Sequence, residues 1–421
     1  MLYFSKGAPT YAFSHEELKK SVFEALDKLG TKNKVLVIPP DFTRFFSRAG
    51  EITKYVYEYY GDKLTDILPA LGTHFPMEEE EIEKMFPGVP KSLFREHKWR
   101  DEIVTVGIVP GEYVKEVTEG IINYDLPAQV NKMLVEGGYD LILSVGQVVP
   151  HEVLGMANYN KNIFIGTGGA EGINKSHFIG AAYGMERVMG RALNPVRQVL
   201  NYASDNFTNH LPIVYMQTVI SGGADGLQLR GLYVGNDMEC FEAAAALSLE
   251  VNFVMLNREM KKAVVYLDPE EFRSTWLGNK SIYRTRMAIA DNGELIVLAP
   301  GLKQFGEDPV IDRLIRKYGY VNTPQVLKFI EENEDLQNSL GVAAHLIHGT
   351  SEGRFKITYC PGLLTREEIE GVHFEYADLD EMMKKYNPKT LKDGWNMVDG
   401  EEIFYISNPA LGLWAYRERF K

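Results

Sequence analysis

Short apolar runs rich in β-branched residues alternate along this chain with stretches whose apolar positions recur at helical spacing. The runs KVLVIP (34–39), DILPAL (66–71), EIVTVGIV (102–109), DLILSVG (140–146), NIFIG (162–166) and IVYMQTVISGG (213–223) are bounded by Pro, Gly or Asp. Such runs suit parallel strands buried on both faces. Between them, FSHEELKKSVFEALDKLG (13–30) and LPAQVNKMLVEGG (126–138) carry the helical pattern. A second set follows: AVVYLD (263–268), ELIVLAP (294–300), AAHLIHG (343–349) and FKITYC (355–360) as strands, with FGEDPVIDRLIRKYG (305–319) and TPQVLKFIEENEDLQNSLG (323–341) as helices. The polar stretch REMKKA (258–263) separates the sets and reads as a connection. The pattern predicts two α/β domains with mainly parallel sheets, residues 1–262 and 263–421, with the active site in the cleft between them.

Composition narrows the partners. Of 421 residues, 45 are Lys or Arg and 58 are Asp or Glu, a net charge of −13, and no basic run marks a nucleic-acid surface. Two cysteines, Cys240 and Cys360, form no C-x-x-C pair and no disulfide framework, which fits a reducing cytoplasm. Neither an export signal nor a membrane-length apolar run is apparent. A small molecule is the expected partner, and arginines in a cleft can favour an anionic one despite the acidic exterior. The oligomeric state is left open.

In open α/β sheets ligands gather beyond the carboxyl ends of the strands. There the chain places PDFTR, with Asp41, Thr43 and Arg44; GTHFPMEEEE, with His74; QVVPHE, with His151; and Lys161 directly before NIFIG. Each residue has an ordinary reading. His74 and His151, taken singly, are loop hydrogen-bonders, although an imidazole titrating near about pH 6.5 keeps proton transfer open. Arg44 suits a surface ion pair or cap as well as a carboxylate or phosphate fork. GTGGAEG (166–172) is neither a Walker loop nor G-x-G-x-x-G, and a tight surface turn explains it at least as well. His177 has no companion ligand at short spacing, so either it is not a ligand or most of a metal's coordination comes from something other than protein side chains. His345 and His348, in a segment read as a strand entering a turn, are expected to be structural.

In this order and spacing the residues resemble the nickel-pincer-nucleotide lactate racemases and their 2-hydroxyacid racemase and epimerase relatives. The resemblance rests on PDFTR (40–44), ALGTH (70–74), the Pro-His of VVPHE (148–152), Lys161 ten positions after His151, and His177 sixteen positions after Lys161. It is weaker through VISGGADG (219–226) and the second domain. It implies that residues 1–262 bind the cofactor and that residues 263–421 close over the substrate. The implied cofactor is the nickel pincer nucleotide, pyridinium-3-thioamide-5-thiocarboxylic acid mononucleotide with Ni(II). By resemblance Lys161 is its covalent anchor and His177 the protein ligand to nickel. Soft sulfur with imidazole nitrogen in a square-planar set is compatible with Ni(II).

The same resemblance makes His74 and His151 the two general bases, with the α-hydrogen leaving as hydride to the cofactor ring and returning to the opposite face of a 2-keto acid. Arg44 then holds the substrate carboxylate, and Asp41 and Thr43 contact the cofactor or support the site. Two departures stand out. The family's S-G-G-x-K ahead of the anchor lysine is ANYNK (157–161) here, and its L-Y-Q-x-x-K substrate segment is matched only by SIYRTRM (281–287). Arg284 or Arg286 is expected to replace the missing cation, favouring a sugar acid or another polar 2-hydroxy acid over lactate. Two other classes compete: a metal-dependent dehydratase or hydrolase on the same scaffold, and a non-catalytic nucleotide-binding or maturation protein.

Overall fold

The computed structural model describes residues 1–222 and 226–420, so residues 223–225 of the run at 213–223 and of VISGGADG lie outside the described part. The chain divides into two compact units, residues 1–179 with 187–252, and residues 180–186 with 253–421. The division expected at residue 262 falls inside a strand of the second unit, Met260–Tyr266. REMKKA is therefore strand from Met260 onward, with Met260 and Ala263 wholly buried.

The first unit is built on a six-stranded sheet. Its strands are β1 (Leu2–Gly7), β2 (Val35–Ile38), β3 (Leu64–Ile67), a later strand Leu141–Gln147, and two more at Ile213–Ser221 and Gln228–Gly235. Two strands between them, β4 (Ile103–Val109) and β5 (Leu126–Asn131), form a separate antiparallel ribbon. With β6 (Leu141–Gln147), the short hairpin β7 (Pro150–His151) and β8 (Gly155–Met156), β9 (Ile213–Ser221) and β10 (Gln228–Gly235), the order across the main sheet is β1-β10-β9-β6-β2-β3. From β9 to β3 all neighbours are parallel, and β10 and β1 add an antiparallel edge. All four residues of β2 are buried, as a strand covered on both faces requires.

Several expectations are corrected here. EIVTVGIV is a strand of the antiparallel ribbon and not of the parallel sheet. LPAQVNKMLVEGG is β5 followed by a short helix, Lys132–Glu136, capped by the Asn131 side chain. Alternation of Leu126, Ala128 and Val130, all buried, outweighs the coincidental helical spacing. NIFIG is a π-helical turn, Asn162–Gly166, closed by the Thr167 N–H on the Asn162 carbonyl at 3.1 Å.

The second unit holds a sheet of β12 (Met260–Tyr266), β13 (Ile289–Ala299), β14 (Lys356–Pro361), β15 (Glu375–Tyr376), β16 (Gly394–Val398) and β17 (Glu401–Ile406), in the order β15-β14-β13-β12-β17-β16. Its pairs are parallel except β16 with β17. A parallel pair, β11 (Val254–Leu256) with β18 (Trp414–Tyr416), stands apart. The helix Pro309–Tyr318 follows its sequence signals: Asp308 caps two backbone N–H groups, Pro309 opens the first turn, and Gly319 ends it at φ 64°. AAHLIHG is helical, within Leu340–His348, and not a strand; a short apolar run buried all round does not declare its period. Tyr320 and His345 share a hydrogen bond of 2.8 Å through Nε2 in that core, and Trp276 stacks on the His345 ring.

Candidate active site

The chain leaves β2 through Pro39 and Pro40, and Pro40 bridges to Ala70 beyond β3, so the two strand ends stay together. Asp41 caps the short turn Phe42–Ser47, accepting from the Thr43 N–H at 3.1 Å and from the Thr43 hydroxyl. Its other oxygen accepts from Nδ1 of His74 at 2.6 Å. Burial opposes ionisation of Asp41, but the bonds from His74 and Thr43, with the Arg44 charge, outweigh it and hold the carboxyl below its usual range. The bond to Asp41 puts the His74 proton on Nδ1 and leaves the Nε2 lone pair on an imidazole that is 61% exposed. A carboxylate orienting an imidazole in this way is the arrangement of a general base.

His151 sits in the opposite state. The β7–β8 hairpin pairs it with Gly155 and buries it. Its Nδ1 accepts backbone N–H groups of Val153 at 3.1 Å and Leu154 at 3.4 Å, so the neutral ring carries its proton on Nε2. Burial holds its pKa well below the ordinary histidine value, and the charges of Lys161, His177 and Arg44 act in the same direction against Glu152. His151 is therefore a neutral donor through Nε2. Taking up a proton there first requires moving its own to Nδ1, against two N–H groups.

Lys161 opens the π-helical turn. Asn162 ties that turn to the strand ends, donating to the Ile38 carbonyl at 3.2 Å and to Ser144 Oγ at 3.1 Å. Gly72 N–H closes the other side on the Gly166 carbonyl at 2.8 Å. Before the lysine, Asn158 and Tyr159 both have left-handed backbones, φ 66° and 60°. That conformation costs an ordinary residue roughly 1–2 kcal/mol. The two positions are those at which the resembled pattern S-G-G-x-K has glycine, so this chain keeps a glycine-like path with larger side chains. Burial, then the Arg44 charge, lowers the Lys161 amine to about 8, with Glu152 and Asp41 pulling the other way. An amine so depressed has a sizeable neutral, nucleophilic fraction at neutral pH.

His177 lies on the helix Ala170–Tyr183. Its Nδ1 donates to the Ile173 carbonyl at 2.7 Å, one turn earlier, which leaves the Nε2 lone pair for a ligand. Burial lowers its pKa to about 4, against the Ile173 bond, so the ring is neutral. Among the described residues no group of three or more His, Cys, Asp or Glu side chains is arranged to hold a metal. A metal at His177 thus needs most of its donors from elsewhere, which is what a sulfur-bearing nucleotide provides. The residues fit the group.

The glycines before this helix are a packed, buried turn and not a surface one. A side chain on Gly168 would lie 1.8 Å from the Phe164 carbonyl, and the Gly172 N–H is capped by Gln129 of β5 at 3.2 Å. His97 donates from Nε2 to the Gly168 carbonyl at 3.0 Å.

In the second unit Arg286 is buried and committed: its Nε meets Glu186 at 3.1 Å, and Arg354 meets the same carboxylate at 2.7 Å. Arg284 is half-buried, donates from Nη1 to the Gly412 carbonyl at 3.3 Å, and has no hydrogen-bond partner for its Nε among the described residues. That Nε is itself buried. Sequence reasoning missed Arg197, whose side chain holds the loop before Lys161; an arginine set among Val196, Val199 and Leu200 was the available signal.

Two solved structures share this architecture. A Thermotoga maritima protein of 24% identity aligns over 98% of this chain and 100% of its own with a TM-score of 0.79. The lactate racemase apoprotein of Thermoanaerobacterium thermosaccharolyticum, 18% identical, aligns over 96% of this chain and 93% of its own with a TM-score of 0.71. No curated protein sequence matches. Residues 16–188 match the family described as the lactate racemase N-terminal domain. The chain thus has the α/β architecture of these structures, and its first unit carries the match to the lactate racemase N-terminal domain. Among the described residues no helix is long and apolar enough to cross a membrane.

Proposed function

We propose that this protein inverts the C2 configuration of a 2-hydroxy acid, with a nickel pincer nucleotide held through Lys161 and His177. The supporting observation is the state of His177, a neutral imidazole with Nδ1 satisfied by Ile173 and Nε2 left for a metal. When bound, the group supplies a hydride acceptor and donor, which takes the substrate between 2-hydroxy and 2-keto acid without a carbanion beside the carboxylate.

The chain's own residues supply binding and proton handling. Arg44 meets the substrate carboxylate with its guanidinium fork. His74 accepts the hydroxyl proton at Nε2, and Asp41 steadies the imidazolium through Nδ1–H. His151 donates from Nε2 to the substrate oxygen. Its neutral state, enforced by burial and by the backbone N–H groups on Nδ1, makes it the fixed donor of the pair. Asp41 and Thr43 hold the turn that presents Arg44. The cation-rich segment SIYRTRM, where the resembled pattern has L-Y-Q-x-x-K, supports a substrate more polar than lactate, such as a sugar acid.

The test uses protein produced in cells that make the cofactor, presented with C2-deuterated 2-hydroxy acids from lactate to aldonates in ordinary water. Inversion with the deuterium retained is expected. Inversion with deuterium lost to solvent would replace hydride return by an enolate route, and failure to invert any acid would end the isomerase reading.

A further inference from the structure

Arg197, on the helix Pro195–Ala203, is completely buried, and its guanidinium serves one segment. Nη2 donates to the Met156 carbonyl at 2.7 Å; Nη1 donates to the Asn158 carbonyl at 3.3 Å and to the Asn160 side-chain oxygen. The guanidinium carbon lies 4.4 Å from the Phe241 ring centre and 5.8 Å from that of Tyr159. Asn160 is held from its other end, donating to Asn201 Oδ1 at 2.7 Å and Ser204 Oγ at 3.3 Å.

A buried cation held by carbonyl oxygens and ring faces carries a large desolvation cost, which an apolar side chain of similar volume would avoid. The cost is repaid by what the charge fixes. Two successive non-glycine residues in the left-handed region relax unless their surroundings over-determine them, and here that path leads directly to Lys161.

We propose that Arg197 is a positioning residue for Lys161: by gripping residues 156–160 it maintains the left-handed backbone at Asn158 and Tyr159 and sets where the lysine amine enters the site. The functional meaning rests on Lys161 as the cofactor anchor, while the positioning is a property of the protein before any cofactor arrives.

The experiment is acetylation of the cofactor-free full chain by an amine-reactive ester, with peptide mass spectrometry comparing Lys161 against Lys132 and Lys175. In Arg197→Met and in Asn160→Ala, which leaves the core arginine in place, labelling of Lys161 is expected to change by roughly tenfold relative to the reference lysines, the scale of one charge-assisted hydrogen bond. Arg197→Lys should recover part of the wild-type value. If Asn160→Ala, and Arg197→Met with native circular dichroism, both label Lys161 as the wild type does, Arg197 only fills the core and the proposal falls. Lys161 labelling that shifts in the variants while wild-type protein from cofactor-producing cells carries no adduct would uphold the positioning role and remove the cofactor reading.

Discussion

His177→Ala, produced in cofactor-making cells, is expected to carry the nucleotide adduct on Lys161 and to lose nearly all its nickel and activity. The two proposed attachments are chemically independent: one would be a covalent bond to a half-buried amine, the other a coordination bond to a neutral imidazole whose proton is held by Ile173. No cluster of other protein ligands can take over, because none exists among the described residues. Removing the imidazole therefore strips the metal and leaves the anchor. Metal analysis beside peptide mass spectrometry of the same preparation reads both quantities. Retained nickel would show that His177 is not the ligand.

Asp41→Asn should cost on the order of 10²–10⁴ in kcat, the range of an oriented general base, with a smaller change in KM. An amide nitrogen or oxygen in place of the carboxylate no longer enforces Nδ1–H on His74, and it does not stabilise the imidazolium. Histidine is then free to present the wrong tautomer. Stability should respond with a definite sign. The folded-state pKa of Asp41 is depressed, so its contribution is present above the unfolded value of about 3.9 and is lost as the pH falls through the lower folded value. Thermal melts of the variant should lose that part of the acid dependence, and an unchanged kcat would remove His74 from proton transfer.

What could be read from the sequence depended on how local its cause was. The strands at 35–38, 141–147 and 213–221 were legible because burial on both faces leaves an uninterrupted apolar run. The same run at 162–166 folds as a π-helical turn, because Asn162 is recruited by the ends of β2 and β6, and a sequence carries no sign of such a distant partner. The site residues beyond the strand ends were legible as a set. Their hydrogen-bonding states were not: His74 and His151 look equivalent in sequence, yet one faces a carboxylate and the other two backbone N–H groups. Arg286 read as one of two candidate substrate cations, and its ion pair with Glu186 is set by tertiary structure across a long stretch of chain. The departure ANYNK was legible as a loss of glycines, but not that Asn158 and Tyr159 adopt the left-handed conformation that glycine favours.

The most direct measurement is mass spectrometry of the peptide containing Lys161, with metal analysis, on protein from cofactor-producing cells. The account predicts the lysine shifted by the mass of the nucleotide, with about one nickel per chain. An unmodified Lys161 in preparations that invert 2-hydroxy acids at full rate would contradict it.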